Sequence, residues 1–296
     1  MNKFCIQTVL FLLSIFVYVN NKALATELDP KKAPQNSPKA SNKVATPEPT
    51  DLCLTDSSEE IYEKNKDLLC INPKETKEAE ELMKEAVEQL EHHATDMRNY
   101  KILCASDAYN DTNLYKKKLE NDTDVEKIEY DVYGFNKYDE IINDIWDPEH
   151  ASPFNNGTVK ISRVYNPNLV IIQQRYKKKI GSPQKYFYAL ATKVQISEDT
   201  TIIAYTSANI NDHNPSGKKY ENTIVKKANS FKTDINSEED IRQGKLQKAF
   251  VNLAGYLIQK RGDRADVTYI ESIDGHSSIK YTSWCGKCFK SYYINK

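Results

Sequence analysis

Two hydrophobic periods follow one another along the chain. Over residues 75–99, apolar positions recur at helical spacing along one stripe that ends at Met97, with Glu and Lys around it. This spacing predicts an amphipathic helix. Over residues 128–133, apolar and polar side chains alternate, which predicts a half-buried strand. The pattern therefore changes from helix to strand in the first half of the chain.

The rest of the chain predicts more strands and one further helix. Residues 138–146 are typical of a short helix that ends at Asp147-Pro148. Turn residues at 166–168 and 197–199 divide later segments into hairpins. The predicted strands are 158–165, 169–176, 186–195, 200–208, 223–235, 249–260 and 266–273. A helix followed by consecutive antiparallel strands predicts an α+β fold whose sheet curls to bury one face.

The N-terminus carries a processing signal. Lys3 precedes an apolar run over residues 9–19, and Ala23-Leu24-Ala25 forms a small-x-small cleavage site. The run is too short to cross a bilayer. We expect a signal peptide over residues 1–25 and a secreted mature chain that begins near Thr26.

Three segments are predicted along the chain. After the signal peptide, residues 26–55 are rich in Pro, Lys, Ser and Asn and should form a disordered linker. Residues 56–296 should form one domain with a core at about residues 75–279. We expect this domain to be a monomer.

Composition narrows the function classes. The chain has 296 residues, 39% hydrophobic and 28% charged, as is typical of a globular protein. Its net charge of −1 argues against nucleic-acid binding and gives no reason to expect strong attraction to anionic lipid surfaces. Tyrosine, with 19 residues against 9 phenylalanines, suits strands that line an amphipathic cavity. A/T-rich codon usage is an equal explanation of the tyrosine count.

The order of these elements resembles the START (StAR-related lipid-transfer) domain. Ser182-Pro183-Gln184-Lys185-Tyr186 resembles that family's turn into a strand, and residues 202–207 resemble the partner strand. Residues 138–147 are similar to the family's first inserted helix. The resemblance implies a helix-grip fold, in which a curved antiparallel sheet and helices enclose a hydrophobic cavity.

The signal sequence and residues 186–194 resemble more narrowly the fam-a family of secreted Plasmodium proteins. This resemblance implies a protein that carries a phospholipid, with phosphatidylcholine as the expected cargo, and makes transient contact with membranes. It also implies a location in the parasitophorous vacuole or the host cell. We expect no catalysis, cofactor, metal or nucleic acid, because the sequence has no nucleophile-elbow pattern, no Gly-rich phosphate loop and no His spaced to form a metal site. The alternative is a secreted surface or antigenic protein that keeps the fold without transfer activity.

The START resemblance also implies lipid-contacting residues. Tyr186 aligns with a tyrosine that faces choline in phosphatidylcholine-binding members, and Tyr188 shares its strand parity. The positions of a buried Glu–Arg pair hold Ile161 and Leu190 here, which should alter the cavity floor. Further candidates for the cavity wall are Tyr205, Phe231, Tyr256 and Tyr269.

One family feature is missing from its usual place. The phosphate-binding arginine of phosphatidylcholine-binding members has no counterpart over residues 152–156. We expect Arg163 to replace it, because Arg163 shares strand parity with Ile161 and would point inward. The alternative places Arg163 in solvent at the end of the strand.

The C-terminus departs from the family. No amphipathic lid helix is visible after His276, so the lid is either truncated or replaced. Cys285 and Cys288 fall in a Trp-Cys-Gly-Lys-Cys run like that of thioredoxin, which gives the rival prediction of an oxidoreductase. The run leaves no room for the rest of that fold, so we favour a local disulfide. Cys53 and Cys70 form another possible pair.

Overall fold

A computed structural model describes residues 57–105, 112–119, 122–134, 136–150 and 157–275. The predicted signal peptide, the whole predicted linker and the C-terminal tail lie outside these ranges. The α-helices in the described part are α1 (Ser57–Lys64), α2 (Pro73–Thr95), α3 (Lys137–Trp146) and α4 (Glu239–Arg242). Short 3-10 helices span Lys66–Leu68 and Lys226–Asn229.

The strands of the described part form one large sheet and one small sheet. They are β1 (Lys101–Cys104), β2 (Asn113–Lys118), β3 (Asp124–Tyr133), β4 (Gly157–Asn166), β5 (Leu169–Tyr176), β6 (Lys185–Ser197), β7 (Thr200–Thr206), β8 (Asn209–Asn211), β9 (Lys232–Asp234), β10 (Gln247–Lys248), β11 (Phe250–Arg261) and β12 (Arg264–Asp274).

The large sheet follows the order β1-β2-β3-β12-β11-β7-β6-β5-β4, and every neighbouring pair on this path is antiparallel. The short strand β10 adds a parallel pairing to β6. The predicted α+β, helix-grip architecture with a curved antiparallel sheet is confirmed.

Helix α2 begins and ends where its flanking residues dictate. The side-chain oxygen of Asn72 accepts hydrogen bonds from the backbone N–H groups of Lys74 and Glu75, and Pro73 opens the helix. The sequence prediction ran to residue 99, but the helix ends at Thr95 because Asp96 is extended. Met97, predicted to lie on the buried stripe, is therefore outside the helix and 48% exposed.

The large sheet has two buried faces. Helix α2 packs on one, which we call the helix face, against Leu190, Ile202 and Leu257. Helices α1 and α3 lie on the other, which we call the cavity face, with Ile203 and Phe187 among its residues. Because successive strand residues point to opposite sides, each strand contributes to both faces.

The strand predicted over residues 223–235 is wrong. The segment forms the 3-10 helix Lys226–Asn229 and the short strand β9 instead. The side chain of Asn222 accepts hydrogen bonds from the backbone of Ile224 and Val225, and Glu85 of α2 accepts from Lys226 and Lys227. These side-chain acceptors replace the ladder partners that a strand would need.

No helix within the described ranges is long and apolar enough to cross a membrane.

Candidate functional site

A cavity opens on the cavity face beneath the C-terminal end of α3. It holds about 880 Å³ of space between atoms, including its mouth. The strands supply mostly apolar and aromatic side chains to its wall. The lining residues are Ile61, Ile145, Trp146, Asp147, Pro148, His150, Val159, Ile161, Val170, Ile172, Gln174, Tyr176, Phe187, Ala191, Tyr205, Ala254, Tyr256, Tyr269, Glu271 and Ile273.

The cavity lies toward one end of the sheet. Tyr176 is the last residue of β5, Val159 lies near the start of β4, and Ile273 is next to last in β12. In an antiparallel sheet the end of one strand lies beside the start of its neighbour, so these residues lie at one end of the sheet. The cavity therefore lies near the connection from β5 to β6 and near residues 147–150, which follow α3.

Strand pairing brings a group of tyrosines together with a carboxyl group. Tyr256 of β11 lies opposite Tyr269 of β12, and their ring centroids are 4.8 Å apart. Two residues further along β12, on the same face, the Glu271 carboxylate accepts a 2.8 Å hydrogen bond from the Tyr269 hydroxyl. We call Tyr176, Tyr256, Tyr269 and Glu271 the tyrosine–carboxyl cluster.

Glu271 is an acid held in an apolar wall. It is 6% exposed, and burial raises its pKa to about 7. The hydrogen bond from Tyr269 favours the ionised form, whereas Glu126, directly opposite on β3, disfavours it. Burial first, and then the nearby Glu271 charge, raise the pKa of the Tyr176 hydroxyl. Near neutral pH the cavity therefore holds a carboxyl group that is partly protonated.

The cavity wall also contains a hydrogen-bond donor. Trp146, the last residue of α3, is 6% exposed, and its Nε1 has no hydrogen-bond partner among the described residues. A buried N–H without a partner costs roughly 1–3 kcal/mol. The site thus combines a buried donor at Trp146 with an acceptor at Glu271, and neither Lys nor Arg is among its described lining residues.

Four predicted lipid-contacting residues line this cavity: Ile161, Tyr205, Tyr256 and Tyr269. Tyr205 lies beside Ala254 of β11, which in turn lies beside Glu271. The alternation of the strands brings these side chains to one face. Their contact with a lipid stays a prediction.

Arg163 was predicted to point into the cavity, and this prediction is wrong. The ladder pairs Ile161 with Ile172 and Arg163 with Ile171, so Ser162 is an extra residue in a β-bulge. The bulge reverses the parity beyond it, and Arg163 emerges on the helix face. Its Nη1 donates a 2.6 Å hydrogen bond to Glu75 in the first turn of α2. Arg163 thus ties β4 to the start of α2.

The predicted orientations of Tyr186, Tyr188 and Leu190 are also wrong. All three lie on the helix face and are at most 2% exposed. The Tyr186 hydroxyl donates a 2.9 Å hydrogen bond to the buried carboxylate of Asp212. On β6 the neighbouring residues Phe187 and Ala191 take the cavity positions. Phe231, a weaker candidate, also packs on the helix face.

Ile161 and Leu190 are consequently not neighbours in a cavity floor. Ile161 belongs to the cavity face and Leu190 to the helix face. Because side chains alternate between the two faces along β6, Ile161 and Leu190 cannot jointly replace a buried ion pair, and that expectation is wrong.

Sequence reasoning missed several residues of the site, most importantly Glu271, Tyr176 and Trp146. A usable signal existed for Glu271, which shares period-two parity with the nominated Tyr269 in a predicted strand. Tyr176 could be found in the same way from Gln174 and Ile172. Cys285, Cys288 and Cys53 lie outside the described residues, so the disulfide and oxidoreductase predictions stay predictions.

No protein-family model and no curated protein matches the chain. Solved structures with a similar course of the chain include human StAR-related lipid transfer protein 5, with TM-score 0.47 and 11% identity over 74% of this chain and 89% of that one. Human STARD10 gives TM-score 0.44 and 13% identity over 65% and 68%. The lipid transfer and protein localization domain of human StarD13 gives 0.42 and 18% over 67% and 83%.

Proposed function

We propose that the chain is a lipid carrier without catalytic activity. The observation that carries the proposal is the cavity with its apolar and tyrosine-rich wall. Ligand pockets in proteins are lined mostly by apolar and aromatic side chains, with a few polar groups. A single amphiphile fits this description, since its chains would cover the wall and its polar part would meet Glu271 and Trp146.

Phosphatidylcholine is the proposed cargo, as the START and fam-a resemblances imply. The tyrosine–carboxyl cluster supports it, because aromatic rings and a carboxylate both attract a quaternary ammonium. The Trp146 indole N–H is a donor suited to an ester or phosphate oxygen. Carriage between membranes after secretion belongs to the same proposal. The alternative of a surface protein without transfer activity predicts an empty cavity.

The basic test is native mass spectrometry of protein purified from cells rich in phosphatidylcholine. We expect about one diacyl phospholipid per chain. Protein that is always free of lipid, in intact folded form, would contradict the proposal and favour the surface-protein alternative.

The headgroup is tested by a matched pair of variants. Tyr256→Leu removes a ring from the cluster but keeps an apolar side chain, and it should weaken phosphatidylcholine binding by about 1–2 kcal/mol. Phosphatidylethanolamine should be less affected. Tyr186→Leu, on the helix face, is the control and should leave the preference between the two lipids unchanged. Equal losses for both headgroups in Tyr256→Leu would indicate packing damage alone.

A further inference from the structure

A basic loop lies at the same end of the sheet as the cavity. It joins β5 to β6 and begins directly after Tyr176, a residue of the cavity wall. Its other end enters β6, whose third residue, Phe187, also lines the cavity. The loop therefore leaves and rejoins the sheet beside the cavity.

The loop presents an isoleucine at its tip. Residues 177–183 are all exposed, and Ile180 is 106% exposed relative to its reference state. The backbone N–H of Ser182 donates a 3.4 Å hydrogen bond to the carbonyl of Lys179, and Gly181 has φ +78. This is a tight turn in which glycine supplies the positive φ. The turn directs Ile180 away from the protein.

Positive charge is concentrated around this tip. Lys177, Lys178 and Lys179 precede Ile180, Lys185 follows it, and no acidic residue lies between Tyr176 and Tyr186. The whole chain has a net charge of −1. The loop is thus a local basic patch on a protein that is nearly neutral overall, which is why net charge alone gave no sign of it.

We infer that this loop docks the protein on anionic lipid bilayers, with the lysines at the headgroups and Ile180 inserted between them. The inference deepens the proposed function and rests on it for the cargo. Lysines near an anionic membrane contribute roughly 1 kcal/mol each, an attraction that salt weakens. An apolar side chain at the tip adds burial that a soluble polyanion would not provide. Docking through this loop brings the cavity mouth against the bilayer, where a lipid can enter or leave.

The test measures how the purified full chain partitions onto two kinds of vesicle. One contains phosphatidylcholine alone, and the other contains phosphatidylcholine mixed with phosphatidylserine. Wild type should bind the mixed vesicles more strongly, and added salt should weaken that binding. Replacing Lys177, Lys178 and Lys179 together by Gln should lower the partition by about 100-fold at low salt, since each lysine contributes roughly fivefold. Ile180→Ser should lower it by about tenfold or more.

Matched controls lie on the other side of the molecule. Lys74, Lys77 and Lys84 are exposed lysines of α2, and their joint replacement by Gln makes the same change of charge on the helix face. Ile71→Ser removes another exposed isoleucine, 93% exposed, that precedes α2. Both controls should bind mixed vesicles like wild type.

Three results would overturn the inference. Wild type could fail to distinguish the two vesicles, or the control variants could lose as much binding as the loop variants. Full competition by soluble dextran sulfate, together with no effect of Ile180→Ser, would show that the loop binds a polyanion and not a bilayer. Cargo is scored separately by native mass spectrometry, and the loop variants should still carry lipid. If the loop mediates docking but the chain never carries lipid, the proposed function is contradicted and the docking inference is still supported.

Discussion

The two faces of the sheet are made by the same strands but are packed differently. On the helix face, α2 covers the strands closely, and the buried hydroxyl of Tyr186 has the Asp212 carboxylate as a partner. On the cavity face, α3 leaves space, and the wall contains Glu271 and a Trp146 N–H without a partner among the described residues. Alternate residues of one strand can therefore serve stability and ligand binding separately.

The largest expected effect is at the closest approach on the helix face. Gly255 has φ +148, and a Cβ there would lie 2.1 Å from the Ile203 carbonyl oxygen and 2.4 Å from Leu90 Cδ1. Gly255→Ala should lower the free energy of unfolding by more than about 4 kcal/mol, or prevent folding. Gly262→Ala, at φ +65 with no atom within 4 Å of the added Cβ, should cost only about 1–2 kcal/mol. Urea denaturation measures both, and similar losses would show that backbone conformation, and not close packing, decides the cost.

The next comparison removes side chains of equal size from the two faces. Leu90→Ala empties a fully buried position under α2 and should cost about 3–5 kcal/mol. Ile161→Ala enlarges a space that already exists and should cost less, about 1–2 kcal/mol. Thermal or urea unfolding of lipid-free protein gives both values. Equal costs would mean that the cavity face is packed as tightly as the helix face.

A third prediction uses the carboxyl group of the cavity face. The pKa of Glu271 is about 7 in the folded protein and lies near 4.5 when unfolded. Between these values the folded state holds the proton more tightly, so stability is full below pH 4.5 and falls as pH rises to about 7. The size is about 3 kcal/mol. Glu271→Gln should remove this loss, as urea unfolding at pH 5 and pH 8 would show. An unchanged slope in the variant would contradict the buried-acid description.

The helix face carries a titrating group of the opposite sign. His93 of α2 is 4% exposed, and burial followed by the nearby His92 lowers its pKa from 6.5 to about 4. The unfolded chain takes up the proton first, so stability is full above pH 6.5 and falls as pH drops toward 4. The loss is again about 3 kcal/mol. In His93→Phe the free energy of unfolding should no longer fall as the pH drops below 6.5, and the dependence due to Glu271 should stay visible between pH 4.5 and 6.5. If the stability of the variant still falls at acid pH, other groups cause the fall.

The smallest effect concerns Tyr186. Tyr186→Phe removes one hydrogen bond to Asp212, whose carboxylate keeps Lys248 Nζ at 3.0 Å. We expect a loss of about 1–2 kcal/mol in the free energy of unfolding. Lipid content in native mass spectrometry should not change, because the hydroxyl lies on the helix face. A selective loss of phosphatidylcholine would return Tyr186 to the ligand site.

Sequence predicted the sheet better than the site. Alternation located the strands of the meander, because burying one face of a strand imposes a period of two. Alternation could not show which of the two sets of alternate residues faces the cavity. The family resemblance placed Tyr186 and Tyr188 there, whereas both side chains lie on the helix face. Glu271 was within reach, since an acid in the inward phase of a strand is an unusual residue to bury. The strand prediction for residues 223–235 was wrong because Asn222 and Glu85 supply hydrogen bonds that hydrophobic periodicity does not reveal.

The bulge at Ser162 also bears on how strand β4 can change in length. In a regular strand, the loss of one residue turns every following side chain to the opposite side. At the bulge the outcome differs, because Ser162 is the residue in excess. Its deletion would restore regular pairing and leave Arg163 opposite Ile171, with its bond to Glu75 in place. The bulge is therefore a point at which β4 can lose one residue without exchanging its two faces.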